Sequence, residues 1–135
     1  MTIAITSKPF GRALYCVDRV VPGRMVTGAI LVGQAAVRRL TTTRGQLLYD
    51  QTYGLNLVQL LSRRMTAAEQ SAIPGRIRNE LRKDERIKRT SVVVSKVDAQ
   101  TWAVTIYADT EAGPFRLALS VDDVSVEVLD LQEAA

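Results

Sequence analysis

The side chains that most often carry covalent or metal chemistry are nearly missing from this chain. Its 135 residues include no histidine, and Cys16 is the only cysteine. Composition therefore excludes Ser-His-Asp triads, Cys-His dyads, Cys/His zinc sites and internal disulfides. Cys16 itself, in Leu14-Tyr15-Cys16-Val17, reads as a small buried hydrophobe rather than a reactive thiol. The 14 Asp and Glu residues leave carboxylate, lysine or magnesium chemistry arithmetically open. They form no Asp-x-Asp pair, however, and neither Gly-x-x-x-x-Gly-Lys nor Gly-x-Gly-x-x-Gly occurs. No catalytic residue, cofactor or metal ligand is expected, and an enzyme is the weakest reading.

Two charged segments remain. Arg76 to Arg89 holds seven basic residues in fourteen. Read as one helix, it could lie along phosphates and release counterions; read plainly, it is a solvated amphipathic face balanced by Glu80, Asp84 and Glu85. It contains no aromatic residue on which a base could stack, so nucleic-acid binding is the runner-up. The second segment, Asp84-Glu85-Arg86-Ile87, sits where helical spacing gives way to strand spacing. A carboxylate pair beside an arginine can lock such a turn through charge-assisted hydrogen bonds.

The elements that must carry these residues follow from spacing. A 47% hydrophobic and 24% charged composition is that of a soluble globular chain, with enough length for one core. The longest uncharged apolar stretch, Met25 to Val37, is interrupted by Gly28, Gly33 and Gln34 and falls short of the ~20 residues of a membrane span. The first residues show no basic-then-apolar signal pattern. Residues 1–11 are expected to form a loose arm and 12–135 one domain. A short strand is expected from Ala13 to Val21, ending at Pro22-Gly23. A helix follows over Ala29–Leu40, with Arg38 and Arg39 at its negative end and Gly33 placed for close approach of another backbone. A second helix runs Leu55–Arg64, with Leu57, Leu60 and Leu61 inward. Thr66-Ala67-Ala68-Glu69 has capping-box form and opens a third helix. That helix is interrupted or kinked at Pro74-Gly75 and continues with Ile73, Ile77 and Leu81 to near Asp84.

Beyond Arg89 the period becomes two. Ser91 to Val97, then Trp102/Val104/Ile106, Phe115/Leu117/Leu119 and Val124/Val126/Val128 mark four strands joined by short turns. They form an antiparallel meander with one buried face, covered by the helices, in an α+β domain. The last strand is a natural sheet edge. Charge is split along the chain: residues 1–90 hold 16 of the 18 bases and 6 acids, a balance of +10, while residues 91–135 carry 2 bases and 8 acids, a balance of −6. That split fits two faces with different partners, a head-to-tail arrangement, or a basic helix neutralised by an acidic sheet edge.

The order of features resembles the contractile-tail baseplate wedge family of tailed phages and related injection machines. Leu40-Thr41-Thr42-Thr43-Arg44-Gly45-Gln46 is similar to the family's Leu-x-Thr-x-x-Gly-Glu. Tyr53-Gly54-Leu55-x-Leu57 is similar to its Tyr-Gly followed by leucines. Arg86-Ile87 matches the second half of its Glu-Pro-Arg-Ile element, with Asp84 where the family has glutamate and Glu85 where it has proline. The resemblance spans roughly residues 29–130. It implies a structural protein of the virion tail baseplate, assembled in the host cytoplasm in multiple copies of a symmetric assembly. Its implied partners are other wedge and hub proteins and the tail sheath protein, with no membrane and no nucleic acid. It further implies strand exchange with neighbours. The interface residues expected on this basis are Arg44, Tyr53, Gly54, Asp84, Glu85, Arg86 and Ile87, together with Val124, Val126 and Val128 near the last sheet edge.

Overall fold

Alternating side chains in the last third of the chain bury one face of a sheet, and the helices before them supply its cover. The computed structural model describes residues 11–16, 22–62, 66–122 and 124–133. In chain order the elements are β1 (Arg12–Leu14), β2 (Met25–Thr27), α1 (Gly28–Thr41), α2 (Leu57–Ser62), α3 (Ala67–Leu81), β3 (Ile87–Lys96), β4 (Trp102–Thr110), β5 (Gly113–Val121) and β6 (Val126–Glu133). The last four form one antiparallel sheet in the order β3-β4-β5-β6, and β1 pairs with β2 in a separate antiparallel ribbon. This is the α+β arrangement expected from the sequence. The first ten residues, the 17–21 portion of the expected N-terminal strand, and Arg63 and Arg64 at the expected end of the second helix lie outside the described residues.

The meander is built by short turns whose side chains satisfy the turn backbone. Asp98 Oδ1 accepts from the amides of Gln100 and Thr101, and Asp122 Oδ1 accepts from those of Val124 and Ser125, each at 2.7–2.9 Å. Between β4 and β5, Gly113 adopts φ +114° while Thr110 Oγ1 donates to its carbonyl. Inward residues from neighbouring strands then stand opposite one another: Val104 faces Leu119 and Ile106 faces Leu117. β6 breaks the alternation. Leu119 pairs with Val128 but Leu117 with Leu131, so Leu129 is an inserted residue. The bulge returns Leu131 to the inner face, where it packs on the core beside Val126 and Val128. Val124 precedes β6 and is 81% exposed.

Gly33 has a different reason from the one its sequence position suggested. A Cβ there would come within 2.5 Å of Leu131 Cδ1 and 3.3 Å of Phe115 Cδ2. The side chains of the sheet fill the space, not another backbone. Gln34, fully buried on the same helix, accepts from Cys16 N–H and donates to the Leu14 carbonyl, both at 2.9 Å, and so ties the end of β1 to α1. Cys16 is half-buried rather than a core residue.

α3 runs unbroken through Pro74 and Gly75 and ends at Leu81, three residues short of the expected Asp84. Thr66 Oγ1 accepts from Glu69 N–H, the first half of the expected capping box. Ile73, Ile77 and Leu81 are all buried in the core, and their packing carries the helix through a residue that would end it in isolation. The basic stretch from Arg76 to Arg89 is accordingly no single helix. It is divided among the end of α3, a turn and the start of β3, and Lys83, Arg86 and Lys88 are engaged with acids. Because α3 tolerates Pro74 only through tertiary packing, Pro74→Ala restores a backbone donor and removes a ring clash. It is expected to stabilise the protein by about 1–2 kcal/mol, part of a full interior-proline cost of roughly 3; urea unfolding measures this directly.

Candidate functional site

One carboxylate organises the end of the molecule where the helices meet the sheet. Glu80 lies in the last turn of α3, seven residues after Ile73 on the same inward stripe, and is 1% exposed. An acid there faces both desolvation and the negative end of the helix dipole. Four donors compensate. Arg39 Nη1 at the end of α1 donates to Oε2 at 3.2 Å, and Gly54 N–H donates to the same oxygen at 3.0 Å. Arg44 Nη2 and Lys83 Nζ donate to Oε1 at 2.8 and 3.0 Å. Burial alone would raise the Glu80 pKa, but the hydrogen bonds from Lys83, Gly54, Arg44 and Arg39 outweigh it and hold the carboxyl below its ordinary value.

The same donors fold the 42–56 connection. Arg44 Nε also donates to the Gly54 carbonyl at 3.2 Å, and Leu55 N–H donates to the Arg39 carbonyl at 3.0 Å. Gly54 itself has φ +106°, and a Cβ on it would collide with the Thr42 carbonyl. Glycine is needed twice over, for the backbone angle and for the close approach. The Arg39 guanidinium lies 4.4 Å above the centre of the Tyr53 ring, and Lys83 Nζ donates to the Thr52 carbonyl at 2.9 Å. The Thr43–Tyr53 loop is thereby strapped to the turn that follows α3.

That turn is closed by a fork. Arg86 Nε and Nη2 donate to the two oxygens of Asp84 at 2.9 and 2.6 Å, and Arg86 N–H adds a bond to Oδ1 at 3.0 Å. Burial pushes the Asp84 carboxyl up, and these bonds and the Arg86 charge more than reverse the effect. The Asp84 hydrogen bonds raise the Arg86 pKa in turn. The sequence predicts a turn locked by the Asp84-Glu85 pair with Arg86, and the lock is made through Asp84. Glu85, at the proline's position, is exposed. Ile87 is buried in the core, so it anchors the junction rather than offering a surface.

Structure therefore gathers Arg44, Tyr53, Gly54, Asp84, Glu85, Arg86 and Ile87 at one end of the molecule. Val124, Val126 and Val128 lie elsewhere, at the β6 edge, with Val126 and Val128 half-buried. The residue that sequence reading missed is Glu80, together with Arg39 and Lys83. A signal existed, since a charged residue on the Ile73-Ile77-Leu81 stripe requires buried partners. Their identities depend on contacts 41, 36 and 26 residues apart. Leu48 and Tyr49, on the strapped loop, are 93% and 88% exposed. A shallow groove of about 280 Å³ lies alongside, lined by Arg44, Asn56, Gln59 and Arg76. Both Glu80 oxygens are occupied by donors, and the cluster joins four segments of the chain. Among the described residues no group of three Asp, Glu, Cys or His side chains could hold a metal ion, and no helix is long and apolar enough to cross a membrane.

Two expectations follow from the joint. Glu80 and Asp84 release protons more readily when folded than when unfolded. Stability is then fully present above the ordinary carboxylate range and falls as pH drops through the lowered folded values. Glu80→Gln should lose about 3–5 kcal/mol at neutral pH, because Arg39 is left buried without a counter-charge, and should flatten that acid limb; thermal melts between neutral and acidic pH read both effects. Gly54→Ala should cost about 2–4 kcal/mol through the strained φ and the Thr42 clash, measured by denaturant unfolding.

A family model for the contractile injection system sheath initiator matches residues 22–113. The match begins with the approach to β2 and ends where β5 starts, so it contains the whole Glu80 joint and the Asp84–Arg86 turn. No curated protein matches the chain at a significant level. With well over half of its residues inside that match, the chain belongs to the contractile injection system sheath initiator family and is a structural component of the contractile apparatus.

Proposed function

We propose that this protein links the inner wedge of the baseplate to the first ring of the sheath, using two surfaces of its fold for the two tasks. In this reading it occupies several equivalent positions in the baseplate, and strand addition to β6 starts the sheath. The observation that carries the reading is the open β6 edge, which ends the sheet and pairs on one side only with β5 among the described residues. Along that edge runs a trough. Tyr15, Arg24 and Ile30 face Val128–Leu131 across one part of it, and Cys16, Val37 and Arg38 face Ser125–Val128 across the next. An extended segment laid there would gain main-chain hydrogen bonds from β6 and side-chain contacts from α1, the usual economy of β-augmentation.

The wedge contact is assigned to a second surface, at the strapped loop and the Asp84–Arg86 turn. Leu48 and Tyr49 present exposed apolar surface there, and Lys83 fixes their loop to the turn that carries Glu85. Exposed aromatic and aliphatic side chains on a rigid support are the usual anchors of protein interfaces. Leu129→Lys changes a 60% exposed side chain on the bulge. It should leave the fold intact and abolish nucleation of sheath polymerisation while wedge binding persists. Leu48→Ser combined with Tyr49→Ser should do the reverse. Sheath assembly followed by electron microscopy, with pull-down of the wedge complex, separates the two. Unimpaired nucleation by a folded Leu129→Lys protein would sink the β6 assignment.

A further inference from the structure

The Glu80 joint leaves positive charge over, beside the groove between the 43–56 connection, α2 and α3. Three cations, Arg39, Arg44 and Lys83, share the one Glu80 carboxylate. The acids nearby are used elsewhere, Asp84 by Arg86 and Asp50 by Thr52. Arg76 adds a further cation one helical turn before Glu80. That spacing ordinarily makes an ion pair, but both Glu80 oxygens are already taken. Arg76 is exposed and makes no ion pair or hydrogen bond among the described residues. It lines the groove together with Arg44, and no acid does. Arg44 is held in place, with Nη2 bound to Glu80 and Nε to the Gly54 carbonyl. Its Nη1 is left as a donor without a partner among the described residues, on a side chain 54% exposed. Gln59 brings an exposed side-chain amide, also unpartnered among them, and the buried Leu55 and Leu60 form the apolar part of the lining.

This lining selects what enters. Two guanidiniums and an amide around a small space with a leucine floor suit a carboxylate on a short methylene stem. Its oxygens accept charge-assisted hydrogen bonds while its methylenes cover the leucines. A nucleic-acid strand is matched poorly, because it needs cations repeated along its backbone and aromatic faces for its bases. No aromatic side chain lines the groove. The other exposed arginines of this stretch, Arg78 and Arg82, stand about 200° and 240° round the helix from Arg76 at roughly 100° per residue, so they extend no track from it. A second copy of this chain is also a poor source of the acid. Asp98 and Asp122 are committed to their turns, Glu111 to Lys88 and Asp130 to Arg116. Glu127 and Glu133 lie on β6, which is given above to the sheath.

We propose that this groove recognises a single glutamate or aspartate side chain projecting from a different protein of the assembly, with Arg44 and Arg76 as its clamps and Gln59 as a third donor. The site uses neither sheet edge, and the Leu48–Tyr49 surface stands or falls without it. A suitable probe is an acetylated, amidated pentapeptide with glutamate at the centre of four alanines, compared with its glutamine-centred counterpart and with inorganic phosphate. Titrated into the full-length protein and followed by NMR, the glutamate peptide should shift the Nε–H signals of Arg44 and Arg76 and the Gln59 side-chain amide. It should bind about tenfold more tightly at low salt than the glutamine peptide, and no more weakly than phosphate. Arg76→Gln should bring it down to the level of the glutamine peptide with the melting temperature nearly unchanged, since Arg76 has no bond to lose. Arg76→Glu should transfer the preference to a lysine-centred peptide. Equal binding of the first two peptides, shifts that survive Arg76→Gln, or no shifts at millimolar peptide overturns the proposal. Tighter binding of phosphate or of a short DNA duplex does the same, since the occupant would then be a phosphate group. So does a rise in the mass of the free protein that Arg76→Gln abolishes, since the acid would then come from a second copy.

Discussion

The joint between the helices and the 42–56 connection depends on keeping one buried carboxylate charged. Glu80 sits where a neutral or apolar residue would be easier to accommodate, on the inward face of α3 and at the unfavourable end of its dipole. Its ionised state is held by Arg39, Arg44, Lys83 and the Gly54 amide. Of these, the Gly54 amide makes the buried contact and Arg39 is the least exposed of the three cations, while the more exposed Arg44 and Lys83 are screened by water. Replacing such a cluster with hydrophobic residues could well leave a stable fold. What the charges contribute is direction, because each donor belongs to a different segment and can satisfy Glu80 only in one arrangement.

That direction explains why three separated motifs form one surface. The loop after α1 arrives through Arg44, the chain before α2 through Gly54, and the turn after α3 through Lys83. Tyr53 lies under Arg39, and the Asp84–Arg86 fork closes the turn a few residues beyond. A loop of this length with little regular structure would otherwise sample many conformations. Strapped to Glu80, it holds Leu48 and Tyr49 exposed on a braced support.

The sheet has a separate logic. Its inner face is committed to the core through Phe115, Leu117, Leu119 and their neighbours, and β3 and β6 are its two edges. They differ in kind. β6 is acidic, bulged and beside a hollow, whereas β3 is longer and uncharged from Thr90 to Ser95, with Arg89 opposite Asp109 just before that run. The charge asymmetry along the chain thus becomes an asymmetry between edges, in addition to being partly neutralised within the Glu80 joint.

Much of this was legible in the sequence. The meander followed from period-two alternation and the Asp98 and Asp122 turns, and the helix cover from Leu57, Leu60, Ile73, Ile77 and Leu81, because those patterns are set by neighbours only a few residues away. The absence of histidine and of paired cysteines excluded whole classes of chemistry before any fold was known. Tertiary structure alone decided the rest. Pro74 was passed over because burial of Ile77 and Leu81 outweighs a local backbone preference. Gly33 proved to make room for Leu131, whose inward turn depends on a bulge that alternation could not show. Glu80 found its partners on segments up to 41 residues away. Local spacing determines which face of an element is apolar; which charges meet across the chain is fixed only when those faces have packed.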